Sequence, residues 1–195
     1  VVPLDGWRRD MYHDDTGLPW VIPSPNLPTL DSTIVYPGAV MFEGTMLSEG
    51  RGTTRPFELI GAPWIDGDSL ADAMNARGLP GVHFRPVFFE PTFQKHARET
   101  CGGCQIHVLD RASFRPVRTA VELIAEFRRQ NPQRFAWRNP PYEYEHEKQP
   151  IDMLYGSDQL RTTVDAGRDV QGLVASWNHE EEQFRALREP YLLYR

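Results

Sequence analysis

The chain has 195 residues, of which 40% are hydrophobic and 25% charged, as in an ordinary globular protein. This length suits one domain, or one domain and part of another, and can bury a core without metal or disulfide support. The formal net charge of −6 argues against a general nucleic-acid-binding protein, whose surface is normally basic. No apolar run reaches the length of a membrane-spanning helix, and no signal peptide is visible. Because the chain begins at Val1 rather than at methionine, the missing signal leaves its localisation open.

The first third of the chain predicts an irregular segment, one helix and one strand. Residues 1–28 contain seven Pro or Gly residues and predict an extended, turn-rich segment. A short helix follows, for which Thr29 or Asp31 is the expected N-cap. The polar stretch 42–58 predicts a loop, and the apolar residues 56–65 predict a strand.

The remainder predicts two more strands and four more helices. The strands are expected at 81–93 and 104–110, and the helices at 68–78, 115–132, 157–167 and from 169 onward. Asp68 or Ser69 is the expected cap of the first of these helices. The polar, proline-bounded residues 138–150 predict a surface loop. Together these elements predict an α+β fold in which several helices pack on a small mixed sheet.

Cys101 and Cys104 form the motif CGGC and are the two cysteines of the chain. A CxxC pair serves as a redox centre, as half of a zinc site, or as two unrelated thiols. A zinc site needs two more ligands at suitable spacing, and the sequence holds no second CxxC and no HxxxH. A redox pair should open a helix after a strand, whereas the residues that follow predict a strand. We therefore predict no metal and no redox cofactor at this motif.

The stretch FEGTMLSEGRGTTRPFE, residues 42–58, combines three glutamates, two arginines and four hydroxyl residues with three glycines. Paired carboxylates are what glycoside hydrolysis requires, and arginine beside threonine hydroxyls suits a substrate carboxylate or amide. The alternative is a stiffened surface loop in which the glutamates simply pair with the arginines. Residue types alone leave both open and slightly favour the loop. The candidate site residues of this stretch are Glu43, Glu49, Arg51, Thr53, Thr54, Arg55 and Glu58.

A second polar group lies in and after the predicted strand 81–93. Its members are Thr92, Lys95, His96, Gln105 and His107. Gln105 and His107 fall on one face of the predicted strand 104–110, and such a face lines a cleft or, more commonly, faces water. Histidine titrates near neutral pH but is more often structural than catalytic, so both interpretations stay open for His96 and His107.

Four long motifs resemble one known family. They are GWRRDMYHDDTGLPWVIPSPNLPTLDSTIVYPG, FEGTMLSEGRGTTRPFELIGAPWID, FRPVFFEPTFQKHARETCGGCQIHVLDR and SWNHEEEQFRALREPYLLY. These motifs are similar to the exo-β-N-acetylmuramidases of the NamZ type, and the likeness runs from near the first residue to the last. One departure is Cys104, where the family usually has an apolar residue.

The resemblance implies a two-domain enzyme in which an N-terminal Rossmann-like domain and a C-terminal ancillary domain share an active-site cleft. Residues 1–24 are then expected to connect to the missing N-terminal domain of the same protein, and residues 25–195 to form the C-terminal domain. The family's strongest candidate for the catalytic acid lies in a Pro-Glu-His-Gly motif of the N-terminal domain. That motif does not occur here, so this chain alone is expected to be inactive.

The implied reaction removes terminal β-linked N-acetylmuramic acid from the non-reducing ends of peptidoglycan fragments, without a cofactor, in the cell envelope or outside the cell. The substrate carries a lactyl carboxylate, an acetamido group and hydroxyls. Residue chemistry then suggests Glu43 and Glu49 as the catalytic carboxylates. The predicted substrate-binding residues are Arg51, Thr53, Thr54, Arg55, His96 and Gln105. The alternative function is a non-catalytic module that binds cell-wall sugar and orients it for another domain.

Overall fold

A three-stranded antiparallel sheet lies at the centre of the fold, which a computed structural model describes for residues 1–194. The strands are β1 (Leu59–Ala62), β2 (Val82–Phe89) and β3 (Cys101–Val108), and β3 lies between the other two. The helices of the described chain are α1 (Leu30–Ala39), α2 (Gly67–Ala76), α3 (Pro116–Gln130), α4 (Pro150–Tyr155), α5 (Gln159–Asp165) and α6 (Gln171–Arg188). The predicted α+β fold is confirmed, although both strand pairings are antiparallel, so the sheet is not mixed.

One face of the sheet packs against helices and forms the core. Helix α2 contacts β2 and β3. Helix α1 contacts β3 and α3, and α3 also contacts α2. In β3, Cys104 and Ile106 enter the core, whereas Gln105 and His107 point to the opposite face, as strand alternation requires. Leu70 of α2 is fully buried against this core. The polar side chains of the sheet therefore share the face that these helices do not cover.

Helix α1 begins as predicted and makes a close approach to α3. The Thr29 side chain accepts a hydrogen bond from the backbone N–H of Ser32, which caps the helix. Pro37 lies inside the helix, and Gly38 follows it. A Cβ atom at Gly38 would collide with the carbonyl of Pro116, the first residue of α3. Only glycine therefore permits this helix contact.

Two local details differ from the prediction. Helix α2 is capped by Asp66 rather than by Asp68 or Ser69, because the Asp66 carboxylate accepts a hydrogen bond of 3.0 Å from the backbone N–H of Ser69. The short helix α4 was not predicted. It starts with Pro150 at its first position, where a missing N–H costs nothing, and ends at Gly156 in the left-handed conformation.

The apolar side chains along one side of the last helix, α6, are partly buried in its first half and exposed in its second half. Val170 is buried just before α6, and Leu173, Val174 and Trp177 pack partly buried against the core. Phe184 and Leu187, in the second half of α6, remain 58% and 66% exposed. The helix therefore extends beyond the core that its first half contacts. No helix within residues 1–194 has the length and apolarity that crossing a membrane requires.

The cysteine motif lies inside strand β3, which begins at Cys101 rather than at the predicted residue 104. Cys101 and Cys104 are both buried and free. Three residues of extended strand separate their Cα atoms by about 10 Å and place the side chains on opposite faces. A disulfide cannot span that distance. Within the described residues, no three His, Cys, Asp or Glu side chains are grouped as a metal site requires.

Candidate functional site

Both ends of the polar stretch 42–58 are buried rather than solvated. Every residue from 41 to 50 is buried except Met46. The backbone is irregular, as predicted, but it is attached to the sheet through paired hydrogen bonds between Ser48 and Gly61 of β1. Its glutamates therefore lie inside the protein, where an ionised carboxylate needs compensating partners.

Arg51 joins the two glutamates that were predicted to be catalytic. Its Nη2 donates a hydrogen bond of 2.5 Å to Oε1 of Glu43, and its Nε lies 3.3 Å from Oε1 of Glu49. The guanidinium also lies over the ring of Phe57, with Cζ 5.2 Å from the ring centroid. Glu43 and Glu49 are 9% and 3% exposed. The structure thus brings both carboxylates to a single cation.

Lys95 supplies the second positive charge. Its Nζ donates to Oε2 of Glu49 at 2.8 Å and to the carbonyl oxygens of Phe42 and Leu47 at 2.9 and 3.1 Å. Burial lowers the pKa of the Lys95 ammonium, and the charge of Glu49 opposes that shift. The two buried carboxylates are therefore balanced by two cations, of which Lys95 comes from a distant part of the sequence.

Lys95 lies in the loop between β2 and β3, and the backbone of this loop is strained on both sides of Lys95. Gln94, His96 and Arg98 all have positive φ values, at 71°, 57° and 63°. Residues with a side chain adopt this region at an energetic cost, so the surrounding contacts must hold the loop. His96 contributes one such contact, because its Nε2 lies 2.8 Å from the carbonyl oxygen of Met46. His96 thus contacts the backbone of the polar stretch at Met46, which lies between Glu43 and Glu49 in the sequence.

Gly52 forms a further contact between this loop and the polar stretch. Its carbonyl oxygen accepts hydrogen bonds of 2.9 Å from both the backbone N–H and the hydroxyl of Thr92. Its φ is +83°, and a Cβ atom would lie 2.7 Å from the backbone nitrogen of Phe93. Glycine is therefore required both for the conformation and for the close approach.

Tyr142 is a site residue that the sequence did not reveal. Its hydroxyl donates a hydrogen bond of 2.8 Å to Oε2 of Glu43, the oxygen that Arg51 does not contact. Burial, and then the neighbouring Glu43 charge, raise the pKa of Tyr142 well above its usual range. The sequence predicts a surface loop at Tyr142, because no local pattern indicates that residues 138–150 fold back onto the polar stretch. Together these side chains form the Glu43 cluster, which consists of Glu43, Glu49, Arg51, Lys95 and Tyr142.

The other predicted site residues lie outside the Glu43 cluster. Thr53 forms a turn, since its hydroxyl donates to the carbonyl of Gly50 at 2.6 Å and accepts from the backbone N–H of Arg55. Thr54 is exposed and has no side-chain hydrogen bond within the described chain. Arg55 and Gln105 instead meet at the buried carboxylate of Glu58. The predicted single site is thus two neighbouring clusters joined by residues 49–58.

Comparison with protein families agrees with the motif resemblance. The family profile described as "Exo-beta-N-acetylmuramidase NamZ, C-terminal" matches residues 34–194, and its N-terminal counterpart matches residues 1–31. The chain belongs to the NamZ family. The two profiles meet at the start of α1, within the segment where the chain changes from irregular to helical structure.

One relative and two solved structures resemble the chain over most of its length. The chain is 42% identical over 194 residues to the "Peptidoglycan beta-N-acetylmuramidase NamZ" of Bacillus subtilis (strain 168), and it spans 45% of that protein. A crystal structure of a DUF1343 family protein from Bacteroides fragilis NCTC 9343 superimposes with a TM-score of 0.84 at 28% identity, covering 97% of this chain and 49% of that one. A second DUF1343 structure from the same organism matches in fold, with a TM-score of 0.58 at 24% identity over 89% of this chain and 44% of that one.

Proposed function

We propose that this chain is one wall of the active site of an exo-β-N-acetylmuramidase that acts on peptidoglycan fragments. Membership of the NamZ family and 42% identity to a named peptidoglycan muramidase support the reaction class. The observation that carries the proposal is the Glu43 cluster, in which two buried carboxylates are held by Arg51, Lys95 and Tyr142. The remaining wall would come from an N-terminal domain of the same protein, since residues 1–31 match that part of the family.

The geometry favours different roles for the two carboxylates. Glu43 is the more exposed and is contacted by a phenol hydroxyl and one guanidinium nitrogen, so we assign it the contact with the sugar. Glu49 is enclosed by Arg51 and Lys95, so we assign it the positioning of those cations. A fixed anionic carboxylate stabilises the positive charge that develops on a sugar ring during glycoside hydrolysis. The catalytic acid of the full-length protein would then lie outside this chain.

The surface beside the Glu43 cluster suits a sugar as well as a charge. Met46 and Phe93 are 44% and 49% exposed. Met46 contacts the strained loop through its carbonyl oxygen, and Phe93 lies in that loop with its backbone beside Gly52. Apolar and aromatic side chains pack on the flat faces of sugar rings, while the neighbouring polar groups bind hydroxyls. Because the substrate is cell-wall material, the proposal places the protein in the cell envelope or outside the cell. Cell fractionation followed by immunoblotting would check that placement.

Turnover of a chromogenic β-N-acetylmuramide by the longer protein, with its N-terminal domain, tests the proposal. Glu43→Gln should lower kcat by at least about 100-fold, the usual scale for a carboxylate that acts on reacting groups. Tyr142→Phe should lower kcat about tenfold, because it removes one hydrogen bond to Glu43. Tyr144→Phe is the matched control, since Tyr144 lies in the same loop and is 96% exposed.

Two outcomes separate the explanations. Wild-type rates in both Glu43→Gln and Tyr142→Phe would show that the site assignment is wrong. Absence of turnover by the longer protein, together with saturable muropeptide binding, would instead establish the non-catalytic binding module. Circular dichroism must show that each variant is folded, and Tyr142→Phe provides the decisive result should Glu43→Gln unfold.

A further inference from the structure

The sheet face opposite the core is covered at one end and open at the other. Leu59, Phe89 and Cys101 form a small buried cluster at the covered end. His83 and Arg85 of β2 are exposed, and their partners in β3 carry polar side chains on the same face. The open end is therefore a polar surface, and none of its side chains belongs to the Glu43 cluster.

A buried carboxylate lies at the edge of this surface. Glu58, immediately before β1, is 3% exposed. Its carboxylate accepts a hydrogen bond of 3.3 Å from the Thr29 hydroxyl and lies 3.4 Å from Nη1 of Arg55 and 3.5 Å from Nε2 of Gln105. All these contacts are long, so the buried group is only weakly satisfied, and burial raises its pKa. Glu58 and the side chains around it form the Glu58 ledge, which consists of Arg55, Glu58, Arg85, Gln105 and His107.

Two guanidinium groups of the ledge retain donors for a ligand. Nη2 of Arg85 donates a hydrogen bond of 2.7 Å to Oε1 of Gln105, which fixes the amide between Arg85 and Glu58. The other nitrogens of Arg85 make no hydrogen bond within residues 1–194. Arg55 is 43% exposed at its side chain and has only long contacts, to Glu58 and, at 3.6 Å, to Asp31. Forked donors of this kind match the two oxygens of a carboxylate.

His107 adds an unpartnered polar atom to the same surface. Its Nε2 is closed off from solvent and has no hydrogen-bond partner among residues 1–194. Burial lowers the pKa of His107, and the charges of Arg85, His83 and Arg55 lower it further. Buried polar atoms nearly always have partners, so a ligand that rearranges the exposed side chains nearby would gain a hydrogen bond here.

We propose that the Glu58 ledge binds the carboxylate of an acidic sugar, with Arg85 and Arg55 donating to its oxygens and Gln105 as a positioning residue held by Glu58. Arg51 is poorly suited to this role, because Glu43 and Glu49 already engage it. The choice of a sugar rests on the proposed function, whereas the choice of a carboxylate rests on the ledge itself.

The local charge favours a monoanion over a phosphate dianion. Arg55 and Arg85 carry two positive charges, and Nη1 of Arg55 lies 3.6 Å from the exposed carboxylate of Asp31 and 3.4 Å from the buried carboxylate of Glu58. Asp31 cancels one of these charges, and Glu58 cancels a second whenever it is ionised. A ligand with a single negative charge on a planar, forked group therefore fits better than one with two charges.

Titration of the 195-residue chain with N-acetylmuramic acid, followed by two-dimensional ¹H–¹⁵N NMR, tests the ledge directly. N-acetylglucosamine is the matched probe, because it lacks the lactyl carboxylate. We expect saturable shift changes at the amides of Arg85, Gln105 and His107, with N-acetylglucosamine binding at least about tenfold more weakly. Arg85→Gln should weaken N-acetylmuramic acid about tenfold and remove most of the difference between the two sugars. Arg134→Gln, at another exposed arginine, should change neither affinity.

The affinity ratio of the two sugars separates carboxylate recognition from a merely structural effect, because a damaged fold would weaken both alike. Equal affinities in the wild-type chain, or an unchanged ratio in Arg85→Gln, would overturn the proposal. Loss of binding in Arg51→Lys with full binding in Arg85→Gln would place the carboxylate at the Glu43 cluster and also overturn it. Turnover without shifts at the ledge refutes the ledge alone, whereas ledge binding without turnover refutes the proposed reaction alone.

Discussion

Replacing Lys95 by methionine removes one of the two cations that balance Glu43 and Glu49. Removing one partner of a buried ion pair costs about 3–5 kcal/mol, because the other charge stays buried without compensation. Arg51 still lies 3.3 Å from Glu49, so we expect the low end, about 3 kcal/mol of unfolding free energy. For a chain of this size that loss lowers Tm by about 6–12 °C. Methionine keeps the apolar stem, so the loss reports the charge rather than the packing.

Urea and thermal unfolding, followed by the fluorescence of the five tryptophans, would measure this loss. Lys148→Met is a matched control, because Lys148 is the other lysine of the chain and is exposed, so we expect a change within about 0.5 kcal/mol. The double variant Lys95→Met with Glu49→Gln should recover at least about 1.5 kcal/mol relative to additivity. A Lys95→Met loss no larger than that of Lys148→Met would refute the buried charge network.

Three further predictions concern the residues around the two clusters. The pKa of Glu58 is raised above the unfolded value of 4.5, so its contribution to stability is present below that value and is lost as pH rises through the folded pKa. Urea unfolding from about pH 4 to 7 should therefore show the wild type losing stability relative to Glu58→Gln, and a constant difference would contradict this. Gly52→Ala should destabilise by about 2 kcal/mol through strain and collision, whereas Gly172→Ala, which meets nothing in α6, should stabilise by up to about 1 kcal/mol. Calorimetry would measure the stability change of each variant. Equal changes in Gly52→Ala and Gly172→Ala would count against the loop contact at Gly52. Burial raises the pKa of Cys101 to about 11 and that of Cys104 further, so both thiols should react with Ellman's reagent at pH 8 only after unfolding, and rapid reaction of the native protein would show otherwise.

Local sequence patterns account well for the regular elements. Helix α3 follows from apolar residues at helical spacing, and the α1 cap at Thr29 follows from a threonine that can accept from Ser32. The alternation of β3 correctly separated Ile106 from Gln105 and His107. The two differences in the helices are local: Asp66 rather than Asp68 or Ser69 caps α2 through its hydrogen bond with the N–H of Ser69, and α4 has too few residues for a periodic signal.

The sequence by itself determined the family, the α+β class and the residue types available for binding a charged sugar, because long motifs and short-range periodicity are properties of the chain. Only the tertiary structure decided how those residues are grouped. It buried residues 41–50 apart from Met46, placed Lys95 and Tyr142 against Glu49 and Glu43, and placed Arg55 and Gln105 against Glu58. Burial and ion pairing depend on contacts between segments that lie far apart in the chain, and no local pattern contains that distance information.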